Sequence, residues 1–171
     1  MDENLEDILG KGEFGIKGTK RKNSKAKGNR YENQVAKRLN KMFETDEFQR
    51  TPGSGAFATT HKLPEHLQVA GDLITPINFR FIIECKHGYS VDFHDSFKAK
   101  STIISFIIQA EKEVKSKPNK DFLILYKKDY KDEIVIVNKS YNITPELCLN
   151  GKYFIYLSKD FFKLPKDVFF D

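Results

Sequence analysis

The sequence has little of what marks several common protein classes. It contains only two cysteines in 171 residues, Cys85 and Cys148, and they lack the spacing of metal ligands. Such a pair fits reduced thiols better than a disulfide framework or a zinc site. No apolar run approaches the length of a membrane-spanning helix, and the acidic start, MDENLEDILG, lacks a signal-peptide pattern. We therefore expect a cytoplasmic protein without a membrane segment.

Motifs typical of other enzyme classes are also missing. The chain has no glycine-rich nucleotide-binding motif, no nucleophile elbow, no zinc-protease pattern and no internal repeat. The composition suits a protein with a folded core, because 39% of the residues are apolar and the aromatic residues comprise 15 Phe and 7 Tyr. A length of 171 residues fits one compact domain with a tail.

Positive charge is concentrated near the N-terminus. The formal net charge is +5, and no acid lies between Glu13 and Arg30. Glycines in this segment alternate with the basic residues Lys17, Lys20, Arg21, Lys22, Lys25, Lys27 and Arg30. Because the segment has little apolar surface to bury, we predict a flexible basic arm over residues 1–28 and a single folded domain over residues 29–171. Contact with a phosphate backbone is favoured over a purely solubilising role, since the arm leads directly into the first helix.

That first helix is predicted over residues 29–43, where Tyr31, Val35 and Leu39 recur at helical spacing. Glu32 lies one turn into the helix, on a side that it shares with apolar residues. It is therefore expected to point toward the core or its edge. Taken alone, an acid there is explained by its favourable interaction with the helix dipole, but further acids downstream favour a functional role.

A short strand is predicted over residues 48–51, followed by the loop Pro52-Gly-Ser-Gly. Glycines on both sides of Ser54 would let a phosphate approach backbone N–H groups closely, and Arg50 could hold that phosphate through two hydrogen bonds. An ordinary turn is the alternative interpretation of these residues.

The stretch from Gly71 to Gly88 holds the most informative charges. Asp72 begins one apolar run, and Glu84 and Lys86 end the next; we predict that the two runs form a hairpin. Side chains two positions apart on a strand share a face, so Glu84 and Lys86 project together. Charges at the end of a buried strand need a partner or a metal. The alternative is a surface ion pair.

The remaining chain predicts a helix over about 101–115 that is apolar around nearly its whole circumference, then strands over 121–126, 133–137 and 153–157. Gln109 lies among the apolar residues of that helix and needs polar partners, either backbone groups or something bound at the site. A C-terminal extension begins at about residue 139, and its late phenylalanines are expected to cover the core or a partner. The order of elements predicts an α/β fold with a central mixed β-sheet flanked by α-helices.

The three acids and the lysine form a candidate catalytic group. Two carboxylates at neighbouring strand ends, Asp72 and Glu84, make a hard oxygen site suited to Mg²⁺, and the Cys85 carbonyl is a natural additional ligand. Glu32 could hold a second metal or a metal-bound water. Lys86 could orient or deprotonate the attacking water, or neutralise charge that develops on the phosphate. This is chemistry for phosphodiester hydrolysis.

These residues resemble the motif of the PD-(D/E)xK nuclease superfamily, with Gly71-Asp72 followed twelve residues later by Glu84, Cys85 and Lys86. Within it, the order GNRYENQVAKRL, FQRTPGSGA, GDLI, FIIECKHG is similar to archaeal-type Holliday junction resolvases and related phage endonucleases. The resemblance implies a restriction-endonuclease-like core with metal and catalytic residues at Glu32, Asp72, Glu84 and Lys86, and a contribution to catalysis from Ser54. It departs from the family at Gly71, where the family has proline.

The resemblance also implies a function. We expect a Mg²⁺-dependent, structure-selective DNA endonuclease, with Mn²⁺ as a substitute metal, that resolves four-way junctions in DNA recombination as a homodimer. The residues expected to contact DNA are Arg50, Lys20, Arg21, Lys22, Lys25, Lys27, Arg30 and Gln109. One alternative is a sequence-specific or end-directed nuclease that reads DNA grooves with its long irregular segments. Another is a non-catalytic nucleic-acid-binding module in which the acids are structural.

Overall fold

The fold was determined from a computed structural model, which describes residues 24–52, 70–91, 101–117 and 119–171. In chain order the elements are α1 (Ser24–Phe43), β1 (Gln49–Arg50), β2 (Leu73–Ile74), β3 (Phe81–His87), α2 (Thr102–Lys115), β4 (Asp121–Lys127), β5 (Ile134–Val137), β6 (Leu147–Leu149), β7 (Tyr153–Leu157), α3 (Ser158–Phe161) and a 3₁₀ helix (Lys166–Val168).

Five strands form a central mixed sheet in the order β3-β4-β5-β7-β6. Strands β3 and β4 are parallel, which requires a crossover connection, and α2 lies in that connection. The other neighbours in this sheet are antiparallel. The predicted α/β fold, a mixed sheet with flanking helices, is confirmed and is consistent with a restriction-endonuclease-like core.

The two faces of the sheet bury two separate apolar clusters. Helix α1 packs on one face, where its Val35 and Leu39 lie in the same cluster as Ile83 and Cys85 of β3. Helix α2 covers the other face together with alternate residues of β4, β5 and β7. Because side chains alternate along a strand, Glu84 and Lys86 point toward α2 while Cys85 points toward α1. Strand β3 is thus enclosed on both faces but lies at one edge of the sheet.

The start of the first helix was predicted wrongly. Helix α1 begins at Ser24, five residues before the predicted start, so Lys25 and Lys27 lie on its first turns and not in a flexible arm. Lys and Ala are good helix formers, and Gly28 is tolerated inside the helix. It faces Glu32, whose Oε1 would lie 3.7 Å from a Cβ at position 28. The rest of the predicted arm, residues 1–23, lies outside the described residues.

The prediction that the strand after Asp72 pairs with the strand that ends at Lys86 in a hairpin was also wrong. Strand β2 pairs with β1 in a separate two-stranded antiparallel sheet. The chain touches β3 through Asp72, whose N–H donates to the Ile83 carbonyl over 2.8 Å. The C-terminal segment lies beside the start of β3, where the hairpin partner was predicted. Phe79 forms a β-bridge with Phe170, and the Arg80 N–H donates to the Phe169 carbonyl.

Helix α2 is less enclosed than its apolar composition predicted. Its inner face buries Ile103, Phe106, Ile107 and Ala110, but Ile108 is 59% exposed. Since α2 packs against the sheet alone among the described elements, one side of it faces solvent. Within the described ranges, no helix combines the length and apolarity needed to cross a membrane.

The phenylalanines near the C-terminus cover the core on the α1 side. Phe161 and Phe169 are fully buried, and Phe162 and Phe170 pack against the same cluster. Of the two predicted roles, cover for the core or for a partner, the structure supports the first. Strand β6 and the short helix α3 were not predicted from the sequence; both have five residues or fewer, too few to show a periodic pattern.

Candidate active site

A cleft of about 510 Å³ lies between the N-terminal half of α1 and the C-terminal end of β3. Its walls include an acid from α1, an acid that precedes β2, a basic residue from β1 and the last residues of β3: Glu32, Asp72, Arg50, Cys85, Lys86 and His87. Four of the predicted catalytic or metal-binding residues, Glu32, Asp72, Cys85 and Lys86, therefore line one depression, whereas Glu84 is buried and is not among its lining residues.

Hydrogen bonds to β3 and to Thr51 hold Asp72 at the edge of β3. Its N–H donates to the Ile83 carbonyl over 2.8 Å, and its Oδ2 accepts from the Cys85 N–H over 2.8 Å. Its carbonyl accepts from the Thr51 N–H over 2.9 Å. Backbone groups of alternate strand residues point to the same edge of a sheet, so the Cys85 carbonyl points to the side on which Asp72 lies.

Glu84 and Lys86 form a buried ion pair on the α2 face of β3. Lys86 Nζ donates to Glu84 Oε2 over 2.7 Å, and the two side chains are only 11% and 1% exposed. The ammonium also lies 5.5 Å from the centre of the Phe106 ring. The prediction that the two side chains share a strand face is confirmed, and the alternative of a surface ion pair is wrong.

Gln109 of α2 hydrogen-bonds to both members of this ion pair. Its Oε1 accepts from Lys86 Nζ over 2.9 Å, and its Nε2 donates to Glu84 Oε2 over 3.0 Å. The same Nε2 donates to Glu113 Oε1 over 3.2 Å. The polar partners that Gln109 was expected to need are therefore side chains of the site, and its contact with DNA stays a prediction.

Glu32 and Arg50 form a second ion pair at the opposite wall. Arg50 Nε donates to Glu32 Oε2 over 2.6 Å, and Arg50 Nη2 donates to Asn29 Oδ1 over 2.9 Å. Glu32 is buried, which confirms that it points toward the edge of the core. The sequence did not indicate that Arg50 would contact Glu32.

Burial and neighbouring charges shift the pKa values of Glu84, Glu32 and Lys86. Burial raises the pKa of Glu84, and the Asp72 charge raises it further, while Lys86 acts in the opposite direction. Burial and the same Asp72 charge raise the pKa of Glu32 against the effect of Arg50. Burial lowers the pKa of Lys86, but the ion pair with Glu84 outweighs it and the net pKa is raised. Asp72 therefore raises the pKa of both other acids.

The donor set of the site suits Mg²⁺. The carboxylates of Asp72 and Glu84 and the Cys85 carbonyl offer only oxygen, the element that this ion prefers. Over the described ranges, no group of three or more His, Cys, Asp and Glu side chains forms a metal-binding cluster. Mg²⁺ is commonly held by one or two carboxylates with waters and substrate phosphates, so this set matches such a site and not an all-protein cage.

The predicted DNA-contacting residues are placed unequally. Lys25 lines the cleft, whereas Lys27 Nζ pairs with Asp129 Oδ2 at 2.5 Å and Arg30 is exposed on α1. Lys20, Arg21 and Lys22 lie outside the described residues, as does Ser54, which was predicted to contribute to catalysis.

Three residues of this region were not identified from the sequence: His87, Asp129 and Glu113. His87 Nε2 lies 3.3 Å from Asp129 Oδ1, which ties the tip between β4 and β5 to the cleft. Glu113 Oε2 accepts from the Gly71 N–H over 2.7 Å. Its signal in the sequence was its position one helical turn after Gln109, on the same face.

Comparison with known proteins gives a family. No curated protein and no solved structure gives a significant match to the chain. A family model described as "Phage putative PDDEXK endonuclease" matches residues 23–165, a range that contains Glu32, Asp72, Glu84 and Lys86. This confirms the resemblance to the PD-(D/E)xK superfamily, while the narrower resemblance to Holliday junction resolvases stays a prediction. The chain belongs to the phage PDDEXK endonuclease family.

Proposed function

We propose that this protein is a Mg²⁺-dependent endonuclease that hydrolyses phosphodiester bonds in DNA. The observation that carries the proposal is the cleft that brings Glu32, Asp72 and Lys86 together at the end of β3, with Lys86 paired to the buried Glu84. Membership of a family described as endonucleases supports the same class of activity.

Asp72, Glu84 and the Cys85 carbonyl are the groups that would hold the metal. When bound, Mg²⁺ would polarise the scissile phosphate and stabilise charge on its oxygens. Asp72 is suited to this task because hydrogen bonds from the Cys85 N–H and to the Ile83 carbonyl fix its position. Mn²⁺, which accepts the same oxygen ligands, is expected to substitute.

Lys86 is assigned to charge stabilisation. Its pKa is raised by the ion pair with Glu84, so its ammonium stays protonated at neutral pH. A protonated lysine can orient the attacking water or neutralise charge on the transferring phosphate, but it cannot remove a proton. Glu32 fits the role of base better, because it lines the cleft and because burial and Asp72 raise its pKa above the ordinary value of a glutamate.

The surface beside the cleft supports a DNA substrate. Lys25 lines the cleft, and the tip between β4 and β5 carries Lys127, Lys128 and Lys131. Asp129 joins this tip to α1 and β3 through its contacts with Lys27 and His87. A row of lysines next to a cleft of acids is suited to holding a phosphate backbone while the metal site engages one phosphate.

The finer proposal is a junction resolvase that acts as a homodimer on four-way DNA. Its support is the order of four sequence segments, which is similar to that of the archaeal-type resolvases. These segments are GNRYENQVAKRL, FQRTPGSGA, GDLI and FIIECKHG. Two symmetric copies suit the cutting of two strands across a branch. A fully exposed tyrosine, Tyr130, on the β4–β5 tip adds a surface on which an unstacked base at a branch could pack.

A cleavage assay tests both levels of the proposal. The purified chain is incubated with a four-way junction and with a linear duplex of the same sequence, in Mg²⁺, in Mn²⁺ and in chelator. We expect metal-dependent cutting with preference for the junction, and loss of cutting in Asp72→Asn and Lys86→Met. Asp160→Asn is the matched control, because Asp160 pairs with Lys163 on the surface.

The outcomes separate the alternatives. Equal binding and cutting of both substrates would remove the resolvase proposal and keep the nuclease. Cutting at one defined plasmid sequence would favour the sequence-specific alternative. DNA binding without any metal-dependent cutting would leave only the non-catalytic module. Light scattering of the purified chain, alone and with the junction, tests for the homodimer.

A further inference from the structure

Glu113, on the last turn of α2, is a charged residue beside the site to which the chemistry above gives no role. Its two carboxylate oxygens have different partners. Oε2 accepts from the Gly71 N–H over 2.7 Å, and Oε1 accepts from Gln109 Nε2 over 3.2 Å. One partner is thus the backbone directly before Asp72, and the other is the amide that holds Lys86.

The contacts of Gln109 extend this connection into the site. Its Nε2 donates to Glu84 as well as to Glu113, so the amide oxygen is directed at Lys86 Nζ, from which it accepts over 2.9 Å. A hydrogen-bonded path therefore runs from the Gly71 N–H through Glu113 and Gln109 to the ammonium of Lys86. Without an acceptor at position 113, one of the two hydrogen bonds that Gln109 Nε2 donates is lost.

The backbone at Gly71 explains why this segment needs an external partner. Gly71 has a φ of +81°, and a Cβ there would lie only 2.6 Å from the Ile83 carbonyl oxygen. The chain is therefore pressed against the edge of β3 in a conformation that ordinary residues avoid. An acceptor on α2 holds the Gly71 N–H in that conformation, and the next residue is Asp72.

We propose that Glu113 is a positioning residue that holds Asp72, through the Gly71 backbone, and Lys86, through Gln109, in one arrangement. This inference rests on the proposed nuclease function and adds a residue that aligns two opposite charges of the site. Glu113 does not touch the substrate. Its removal is expected to reduce the rate of the chemical step and to leave DNA affinity unchanged.

The same helix supplies a matched control. Glu111 lies two residues before Glu113 and accepts from Lys152 Nζ over 2.6 Å and from the Tyr153 hydroxyl over 2.7 Å. Glu111 thus joins α2 to Tyr153 of β7 and to Lys152 directly before that strand. Neither partner lines the cleft. Glu111→Ala therefore removes an acid and two hydrogen bonds of α2, as Glu113→Ala does, without touching the path to Lys86.

The test compares Glu113→Ala, Glu113→Gln and Glu111→Ala. Single-turnover cleavage is measured in saturating Mg²⁺, and the dissociation constant for the same DNA is measured in Ca²⁺. We expect a roughly ten- to hundredfold lower rate for Glu113→Ala, the range typical of a misplaced catalytic group. Its dissociation constant should equal that of the wild type, and Glu111→Ala should retain the wild-type rate. Glu113→Gln, whose amide oxygen can still accept from the Gly71 N–H, should lose less.

A second measurement does not depend on cleavage. Hydrogen exchange of the Gly71 amide, followed by NMR, should be faster in Glu113→Ala than in the wild type and unchanged in Glu111→Ala. Wild-type cleavage by Glu113→Ala overturns the proposal, as does a rate loss that Glu111→Ala reproduces. If the wild-type chain cuts no DNA, the proposed nuclease function fails, but the exchange experiment still tests the positioning role of Glu113. Unchanged Gly71 exchange in Glu113→Ala then overturns that role. Faster exchange supports it.

Discussion

Arg50 Nε donates to Glu32 Oε2 over 2.6 Å, so a residue of β1 neutralises the acid that α1 brings to the cleft. The pair is partly buried, with side-chain exposures of 21% and 9%. Arg50 is the largest influence that lowers the pKa of Glu32 against burial and the Asp72 charge. Arg50 therefore favours the charged form of Glu32.

The first prediction concerns the pH dependence of cleavage. Arg50→Ala removes the largest effect that lowers the pKa of Glu32, so burial and Asp72 raise it further. If Glu32 must be deprotonated to act, the pH below which the cleavage rate falls should be higher in the variant than in the wild type. Single-turnover rates measured across the pH range test this. Arg38→Ala, which breaks the ion pair with Glu133 outside the cleft, should keep the wild-type profile.

The second prediction concerns the stability of the buried Glu84–Lys86 pair. Lys86→Met leaves Glu84 without its cation and should lower the free energy of unfolding by about 3 kcal/mol, since removing one partner leaves an uncompensated buried charge. The double variant Glu84→Gln, Lys86→Met removes both charges and should lose less. Urea denaturation at neutral pH measures both. A double variant less stable than Lys86→Met would contradict the explanation.

The same variants give a prediction about pH and stability. In Lys86→Met, burial and Asp72 raise the folded-state pKa of Glu84 above the value of 4.5 without opposition from Lys86. A raised pKa means that the folded state binds the proton more tightly than the unfolded state. The contribution of Glu84 to the free energy of unfolding of Lys86→Met should therefore be fully present below pH 4.5 and be lost as the pH rises through the folded-state pKa. The double variant, which lacks the carboxylate, should lack this decrease.

The sequence predicted those parts of the site that depend on local geometry. Glu84 and Lys86 share a face because strand side chains alternate, a rule that needs no knowledge of the rest of the fold. Glu32 was placed at the edge of the core by helical periodicity alone. Both predictions needed only a few neighbouring residues. Asp72 was proposed as a metal ligand from its position at a strand end and from the resemblance to a known motif, and the structure places its carboxylate within hydrogen-bonding distance of the Cys85 N–H.

The parts that could not be predicted depend on contacts between distant segments. Strands β1 and β2 have two residues each, too few for a periodic pattern, so their pairing across the intervening loop left no signal. Asp129 contacts His87 and Lys27, which are remote from it in the chain. The C-terminal segment beside Phe79 replaced the predicted hairpin partner. Such contacts are decided by packing of the whole domain and not by local preference.

The fourth prediction concerns Tyr130 and branched DNA. Tyr130 is fully exposed at the β4–β5 tip with a φ of 62°, an unusual conformation for a bulky side chain. If its ring stacks on an unpaired base, Tyr130→Ala should weaken binding of a junction by about 1–3 kcal/mol and leave a linear duplex unaffected. Fluorescence anisotropy in Ca²⁺ measures both affinities. Tyr130→Phe should keep the ring contact, and Ile77→Ala, another exposed residue, is the control. Equal weakening for both DNAs would contradict the stacking role.

The last prediction compares two glycines that both have positive φ. A Cβ at Gly71 would lie 2.6 Å from the Ile83 carbonyl oxygen, whereas a Cβ at Gly151, with φ +65°, would meet nothing within 4 Å. Gly151→Ala should therefore cost about 1 kcal/mol, the cost of the left-handed conformation alone. Gly71→Ala adds a backbone clash and should cost about 3 kcal/mol or more. Because the clash pushes Asp72 away from β3, the folded fraction of Gly71→Ala should also fail to cut DNA. Urea denaturation and a cleavage assay check the two effects; equal destabilisation by the two substitutions would mean that Gly71 is needed for its backbone angles and not for its close approach to β3.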